Sequence, residues 1–210
     1  MSEDHSHSHP HADPAGPDEP AMLTDYQLME GAVRELLVEK GILTHAAIRE
    51  AVEAMDARTP AQGARVVARA WVDPAYKARL LENGTAACEE LGISMGPTHL
   101  VVVENTPEVH NVIVCTLCSC YPRMLLGLPP DWYKSKPYRS RVVREPRAVL
   151  HEFGTEIADN VTVRVHDSTA DMRYLVLPRR PAGTDVLDEA ALAALITRDS
   201  LIGVALPRTP

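Results

Sequence analysis

No stretch of this sequence approaches the roughly 18 consecutive apolar residues a membrane-crossing helix needs, so a helical membrane span is not expected. The N-terminus also lacks the basic-then-apolar pattern of a secretory signal, and a cytoplasmic location is the expectation. Positive charge is short: 21 Lys and Arg face 29 Asp and Glu, a net charge of -8. That balance argues against nucleic acid or an anionic membrane as a partner. Aromatic residues make up only 4% of the chain while prolines number 17; the composition is otherwise ordinary for a globular protein. Cysteine occurs four times, three of them clustered, which does not describe a disulfide framework. Cys88 stands alone in a helical pattern and reads as a small buried hydrophobe. A length of 210 residues suits one domain, or one domain with an extended arm.

What is present is concentrated in Cys115-Thr116-Leu117-Cys118-Ser119-Cys120, three thiols in six residues. They follow an apolar run, Val112-Ile113-Val114, that reads as a buried strand. Thiolates are soft ligands that select soft or transition metals. Three sulfurs from one turn fill only part of a coordination sphere, and the nearest further donors are the backbone nitrogens of Ser119 and Cys120. An amide binds a metal only after losing its proton, which calls for a strongly polarising ion. A structural zinc would want a fourth side chain from a second Cys or His pair, and none lies nearby; His110 sits back along the incoming strand.

The rest of the chain reads as follows. Residues 1–22 form a low-complexity tail in which His5, His7, His9 and His11 alternate with Ser and Pro. Such a segment buries too little apolar surface to order itself; it is either a solvated tail or a metal-scavenging one. Residues 23–95 are read as a helical arm. Its first helix runs from Thr24 to Lys40, with Thr24 and Gln27 at capping-box spacing and Gly41 at the stop. A second starts at Thr44. Thr59-Pro60 and Asp73-Pro74 each set a cap before a proline and start a third and a fourth, the fourth passing through Gly84 to end near Gly92. Residues 96–210 are read as the metal-binding domain, with strands at 100–103, 109–114, 161–165 and 172–177 and helices at 146–153 and 188–196. Pro129 and Pro130 enforce an irregular connection. Helices first, then mixed elements, give an α+β class. Asp167-Ser168 and Arg173 are candidates to orient the cluster by hydrogen bonds, or else cap turns. His99 and His151 read as exposed, and Asp199 as structural.

Val114 to Cys120 resembles the metal-binding claw of the nitrile hydratase alpha-chain family. The flanks resemble it too: Val102 to Asn111 before, Leu126 to Tyr133 after, then Met172 to Pro178 and Thr197 to Val204. The resemblance implies a four-layer α/β/β/α domain and an N-terminal helical arm that wraps a partner subunit. It implies that Cys115, Cys118, Ser119 and Cys120 hold one Co(III) per chain, with Fe(III) as the alternative; Thr116 matches the cobalt-type pattern. Cys115 would be the thiolate opposite an open position, Cys118 a sulfinate and Cys120 a sulfenate, so Cys118, Ser119 and Cys120 border the reaction. Arginines of a beta-type partner chain would neutralise the oxidised sulfurs. The implied activity is addition of water to a nitrile to give an amide. One departure stands out. Many cobalt members carry Trp three residues after the last claw cysteine, whereas this chain has Arg123, as thiocyanate hydrolase gamma chains do. An arginine there would bind substrate and favour a small anion, making hydrolysis of thiocyanate to carbonyl sulfide and ammonia the alternative. A non-catalytic cobalt carrier or assembly subunit is the reading from another class.

Overall fold

In the computed structural model, which describes residues 24–210, the chain falls into two compact units that divide between Arg49 and Glu50. The His-rich tail lies outside the described residues. In the first unit, helix α1 (Asp25–Glu39) begins as its sequence dictates. The Thr24 hydroxyl accepts from the Gln27 amide and the Gln27 side chain accepts from the Thr24 amide. Gly41 takes the left-handed conformation (φ 69°) that ends it. No residue of α1 is buried; Tyr26, Leu28, Met29 and Val33 are more than half exposed. Helix α2 (His45–Asp56) follows the Thr44 cap.

The second unit holds the core. Helix α3 (Ala61–Val72) is the best buried of the early helices, with Val66, Val67, Ala68 and Ala70 inside. Its start corresponds to the Thr59-Pro60 signal, although Thr59 makes only a long bond of 3.4 Å to the Ala61 amide. Helix α4 (Pro74–Glu82) is capped by Asp73, as expected. It does not run on through Gly84. Asn83 leaves helical geometry (φ -146°, ψ 91°), closes α4 and caps a new helix, α5 (Gly84–Glu90), by accepting from the Ala86 amide. Gly84 is then pressed against strand β1 (His99–Glu104): a Cβ there would lie 2.7 Å from the Leu100 carbonyl oxygen.

Strand β2 (Val109–Val114) comes next in the chain but does not pair with β1. The Asn105-Thr106-Pro107 corner carries the chain from one sheet to another, and Asn105 pins it by accepting from the Asn111 amide at 2.8 Å. The stretch around Pro129 and Pro130, expected to be irregular, carries three short helices: α6 (Arg123–Leu126), α7 (Asp131–Lys134) and α8 (Lys136–Arg141). Helix α9 (Pro146–Glu152) stops before Gly154, and strand β3 (Thr162–Asp167) pairs parallel to β2, ending with Val114 opposite Asp167. Strand β4 (Met172–Leu177) pairs parallel to β1 in the register His99–Met172 to Glu104–Leu177. Helices α10 (Glu189–Ala194) and α11 (Arg198–Ile202) complete the fold, capped by Asp188 and Thr197.

Helices α4 and α5 lie on β1, the two sheets meet through β2 and β4, and α9 covers β3. The order is helix, sheet, sheet, helix, an α+β fold of four layers. Core residues such as Leu80, Val112, Ile113, Leu150, Leu175 and Leu201 are fully buried. Each contributes on the order of 1.5–3 kcal/mol by leaving water.

Candidate metal centre

Strand β2 delivers the first sulfur. Val112, Ile113, Val114 and Cys115 are completely buried, because β2 lies between β3 and the second sheet. The chain then breaks outward at the carboxyl end of parallel strands, where open α/β sheets characteristically expose a binding crevice. Leu117 is 84% exposed, Cys118 is exposed and Cys120 half-buried. Ser119 makes the turn with φ 68°, the one positive φ at a non-glycine residue among those described. That left-handed conformation costs an L-residue about 1–2 kcal/mol, and it folds Cys120 back toward Cys115.

The outcome is a cluster of free thiols whose three sulfurs all lie within 4.8 Å of one another. Cys118 Sγ stands 3.7 Å from Cys115 Sγ and 3.1 Å from Cys120 Sγ. Sulfurs bound to one ion at about 2.3 Å would be separated by about 3.3 Å at right angles and about 3.8 Å at tetrahedral angles. The spacing therefore fits a shared cation and not a disulfide, which needs about 2.05 Å. The Ser119 amide has no hydrogen-bond acceptor among the described residues.

Before any metal binds, the thiols differ. Burial opposes ionisation of Cys115, yet hydrogen bonds from the amides of Cys118, Cys120 and Leu117 and from the Cys118 thiol outweigh it and hold Cys115 below its usual range. Burial, and then the neighbouring Cys118 and Cys115 sulfurs, push Cys120 up to about 12 against the attraction of Arg173. A bound cation inverts that logic by deprotonating coordinated thiols.

The turn is held from three sides. Asp167, at the end of β3, accepts from the Thr116 amide (Oδ1, 2.9 Å) and from its hydroxyl (Oδ2, 2.6 Å). Arg139 Nη2 donates to the carbonyls of Thr116 (3.0 Å) and Leu117 (3.2 Å). The Tyr133 hydroxyl donates to the Cys120 carbonyl at 2.8 Å, and Tyr138 to that of Ile113 at 2.8 Å. These tyrosines belong to an aromatic cluster. Tyr121 meets Tyr133 edge-on at 5.0 Å, and Trp132 meets Tyr138 at 4.9 Å and Phe153 at 4.7 Å. The cluster holds five of the nine aromatic residues of the chain.

Of the residues the sequence singled out, the structure groups Cys115, Cys118, Ser119 and Cys120, and Arg123 lines the same cleft as the last three. Asp167 reaches the turn. Ser168 donates its amide to the Val114 carbonyl, and its hydroxyl is buried without a partner. Arg173 donates to carbonyls of its own turn, including Ala170 at 3.0 Å, and also lines the cleft. His110 is turned away and buried; its Nε2 donates to the Gly203 carbonyl at 2.7 Å, leaving Nδ1 toward the Asn105 amide group. His99 and His151 are exposed. Sequence reading missed Arg139, Tyr133 and Tyr138. Their sole signal was the Trp-Tyr of the downstream flank, since they reach the turn across 13 to 25 residues of helices that prolines obscured.

The family model described as nitrile hydratase, alpha chain, matches residues 24–205. The alpha subunit of a low-molecular weight cobalt-containing nitrile hydratase from Rhodococcus rhodochrous is 52% identical, covering 85% of this chain and 87% of that protein. The gamma subunit of thiocyanate hydrolase from Thiobacillus thioparus is 43% identical, covering 89% and 82%. Among solved structures, a double mutant of the Fe-type nitrile hydratase from Comamonas testosteroni Ni1 superposes with a TM-score of 0.80 at 48% identity, covering 89% of this chain and 94% of that one. A recombinant thiocyanate hydrolase with partially modified cobalt centres gives 0.82 at 42%, covering 89% and 92%. With the claw, its fixings and the four-layer fold all in place, this chain belongs to the nitrile hydratase alpha-chain family.

Proposed function

We propose that this chain is the metal-binding catalytic subunit of a cobalt-type nitrile hydratase, which adds water to a nitrile and releases the amide. The observation that carries the reading is the convergence of three sulfurs on one point at the open end of β2. Cys115 as thiolate, Cys118 as sulfinate, Cys120 as sulfenate and the backbone nitrogens of Ser119 and Cys120 would hold one Co(III), with Fe(III) as the alternative. When bound, such an ion supplies Lewis acidity that polarises a nitrile nitrogen or lowers the pKa of water. The residues of the chain supply position. Asp167, Arg139 and Tyr133 fix the turn from beneath, and the exposed Cys118 edge faces the cleft. Low-pKa thiolates beside a metal are the ones that climb the oxidation ladder, and the resulting anions call for arginines from a beta-type partner chain. Of residues 23–95, read as a helical arm, the unburied apolar side chains of α1 suit a partner-facing element, whereas α4 and α5 lie on β1. A cytoplasmic location belongs to the same reading. Among the described residues no helix is long and apolar enough to cross a membrane.

Arg123 favours a second reading, the gamma-type subunit of a thiocyanate hydrolase. It stands exposed in the cleft with no side-chain hydrogen bond or ion pair among the described residues. The deciding experiment uses the complex isolated with its native partners from cobalt-supplied cells. Acetonitrile, a heteroaromatic nitrile and thiocyanate are assayed side by side, with metal content measured on the same sample. Amide formation with about one cobalt per claw is the expected result. Carbonyl sulfide and ammonia from thiocyanate, with little amide, would move the chain to the second reading. Rapid metal loss to a chelator without turnover would leave a carrier.

A further inference from the structure

The hydrogen bonds of the claw turn are not shared evenly among its sulfurs. The Cys118 amide donates to Cys115 Sγ at 3.3 Å, and the amides of Leu117 and Cys120 act on the same sulfur. Cys118 Sγ and Cys120 Sγ make hydrogen-bond contacts only with other sulfurs among the described residues. Once Ser119 and Cys120 give up their amide protons to a metal, the Leu117 and Cys118 N–H groups are the ones left to Cys115.

Arg139 sits at the other end of those same two peptide groups. Its Nη2 donates to the Thr116 carbonyl at 3.0 Å and to the Leu117 carbonyl at 3.2 Å. The Thr116 carbonyl and the Leu117 N–H belong to one peptide group, and the Leu117 carbonyl and the Cys118 N–H to the next. A single guanidinium therefore pulls on the oxygen ends of both groups whose N–H ends serve Cys115. Hydrogen bonds in series polarise one another by about 10–30% per bond, and a cationic donor makes the first bond of the series a strong one. Arg139 Nε is buried with no partner, so water screens the charge little on that side. The placement is fixed by the neighbouring residue on α8: Tyr138 is buried and donates to the Ile113 carbonyl at 2.8 Å, two residues before Cys115. Helix α8 is thereby fastened to β2 where the claw leaves it.

We propose that Arg139 is a positioning residue that drains electron density from the Cys115 sulfur through the 116–117 and 117–118 peptide groups, and so raises the Lewis acidity of a metal held by that sulfur. The inference rests on the reading of the claw as a nitrile-hydrating centre and adds to it a residue that touches neither metal nor substrate.

The test compares the cobalt-loaded complex as wild type, Arg139→Gln, Arg139→Lys and Asp167→Asn. The sulfur-to-cobalt charge-transfer absorption is recorded for each, together with cobalt retention against a chelator and kcat and KM for acetonitrile. Without the cation Cys115 is richer in electrons, so Arg139→Gln should move the band to longer wavelength and lower kcat about tenfold with KM little changed. Arg139→Lys keeps the charge but replaces the fork with one ammonium, and a smaller shift in the same direction is expected. Asp167→Asn loosens the same turn without removing a cation, and should speed cobalt loss with no shift to longer wavelength. A band that stays in place in Arg139→Gln, or that moves equally in Asp167→Asn, would overturn the relay and leave Arg139 as a tie for the turn. Should the Gln variant not assemble, the Lys variant reads the same band, and no shift there would overturn the relay. A shifted band in a complex that makes no amide would support the relay while removing nitrile hydration; amide formation with an unmoved band would do the reverse.

Discussion

At the scale of single residues, Asp167 does the most with the least. One carboxylate holds both the amide and the hydroxyl of Thr116, immediately after the first claw cysteine. Loss of such an outer support lowers metal affinity about 10–100-fold in metal sites. Asp167→Asn should therefore release cobalt faster to a chelator and lower the metal content of the purified complex. Unchanged retention would show that Arg139 and Tyr133 suffice. Arg123 carries a separate expectation: Arg123→Trp should weaken use of thiocyanate and match or improve use of neutral nitriles, read from the two kcat/KM values. The cysteines themselves should react unequally in metal-free protein. Burial pushes Cys88 up to about 12 and encloses it, whereas Cys118 is exposed. Iodoacetamide at pH 8 should label Cys118 and spare Cys88, as peptide mass spectrometry would reveal. The candidate ligands Cys115, Cys118, Ser119 and Cys120 could be picked out in the sequence because they are nearly contiguous. Arg139, Tyr133 and Tyr138 were not, because nothing in a linear pattern tells which polar tips a later irregular segment will return to an earlier turn.

At the scale of elements, the sequence was most informative where one local rule governs. Thr24, Asp73 and Asp188 each cap the helix their spacing announces, and the apolar run of β2 is buried as read. Asn83 shows the limit. A continuous helix from Pro74 to Gly92 satisfies the apolar pattern, but Gly84 must approach β1, and the chain breaks there to allow it. Strand pairing was illegible because both pairs are parallel and join residues more than 50 positions apart. The return of the chain beneath β2 depends on Gly203. Its φ is 90°, and a Cβ would lie 2.0 Å from the Asn111 carbonyl oxygen. Gly203→Ala should cost about 3 kcal/mol or more, measured as a lowered urea midpoint with an unchanged slope. A loss below about 0.5 kcal/mol would mean that α11 shifts freely.

At the scale of the whole molecule, stability should depend on pH through two imidazoles, the buried His110 and the half-buried His166. Burial, opposed by the hydrogen bond to Gly203, holds His110 below its usual 6.5. Burial and then the Arg164 charge do the same to His166. In the unfolded chain both regain the ordinary value and bind protons first as the pH falls. Their contribution is therefore complete above about pH 6.5 and is lost as pH drops toward the folded values. Denaturation midpoints should fall between pH 7 and 5, and His110→Gln should flatten that slope; an equally steep slope would assign it to the carboxylates. The separation between ligands and fixings has a further consequence for biosynthesis. All three sulfurs leave the ribosome within six residues, but Tyr133, Arg139 and Asp167 are translated 13 to 51 positions after the residues they restrain. The thiols thus exist for a time as a loose peptide, open to any passing cation or oxidant, and become a shaped receptacle only when β3 has been made and has docked beside β2. The turn that Asp167, Arg139 and Tyr133 hold is therefore complete only once β3 has been made.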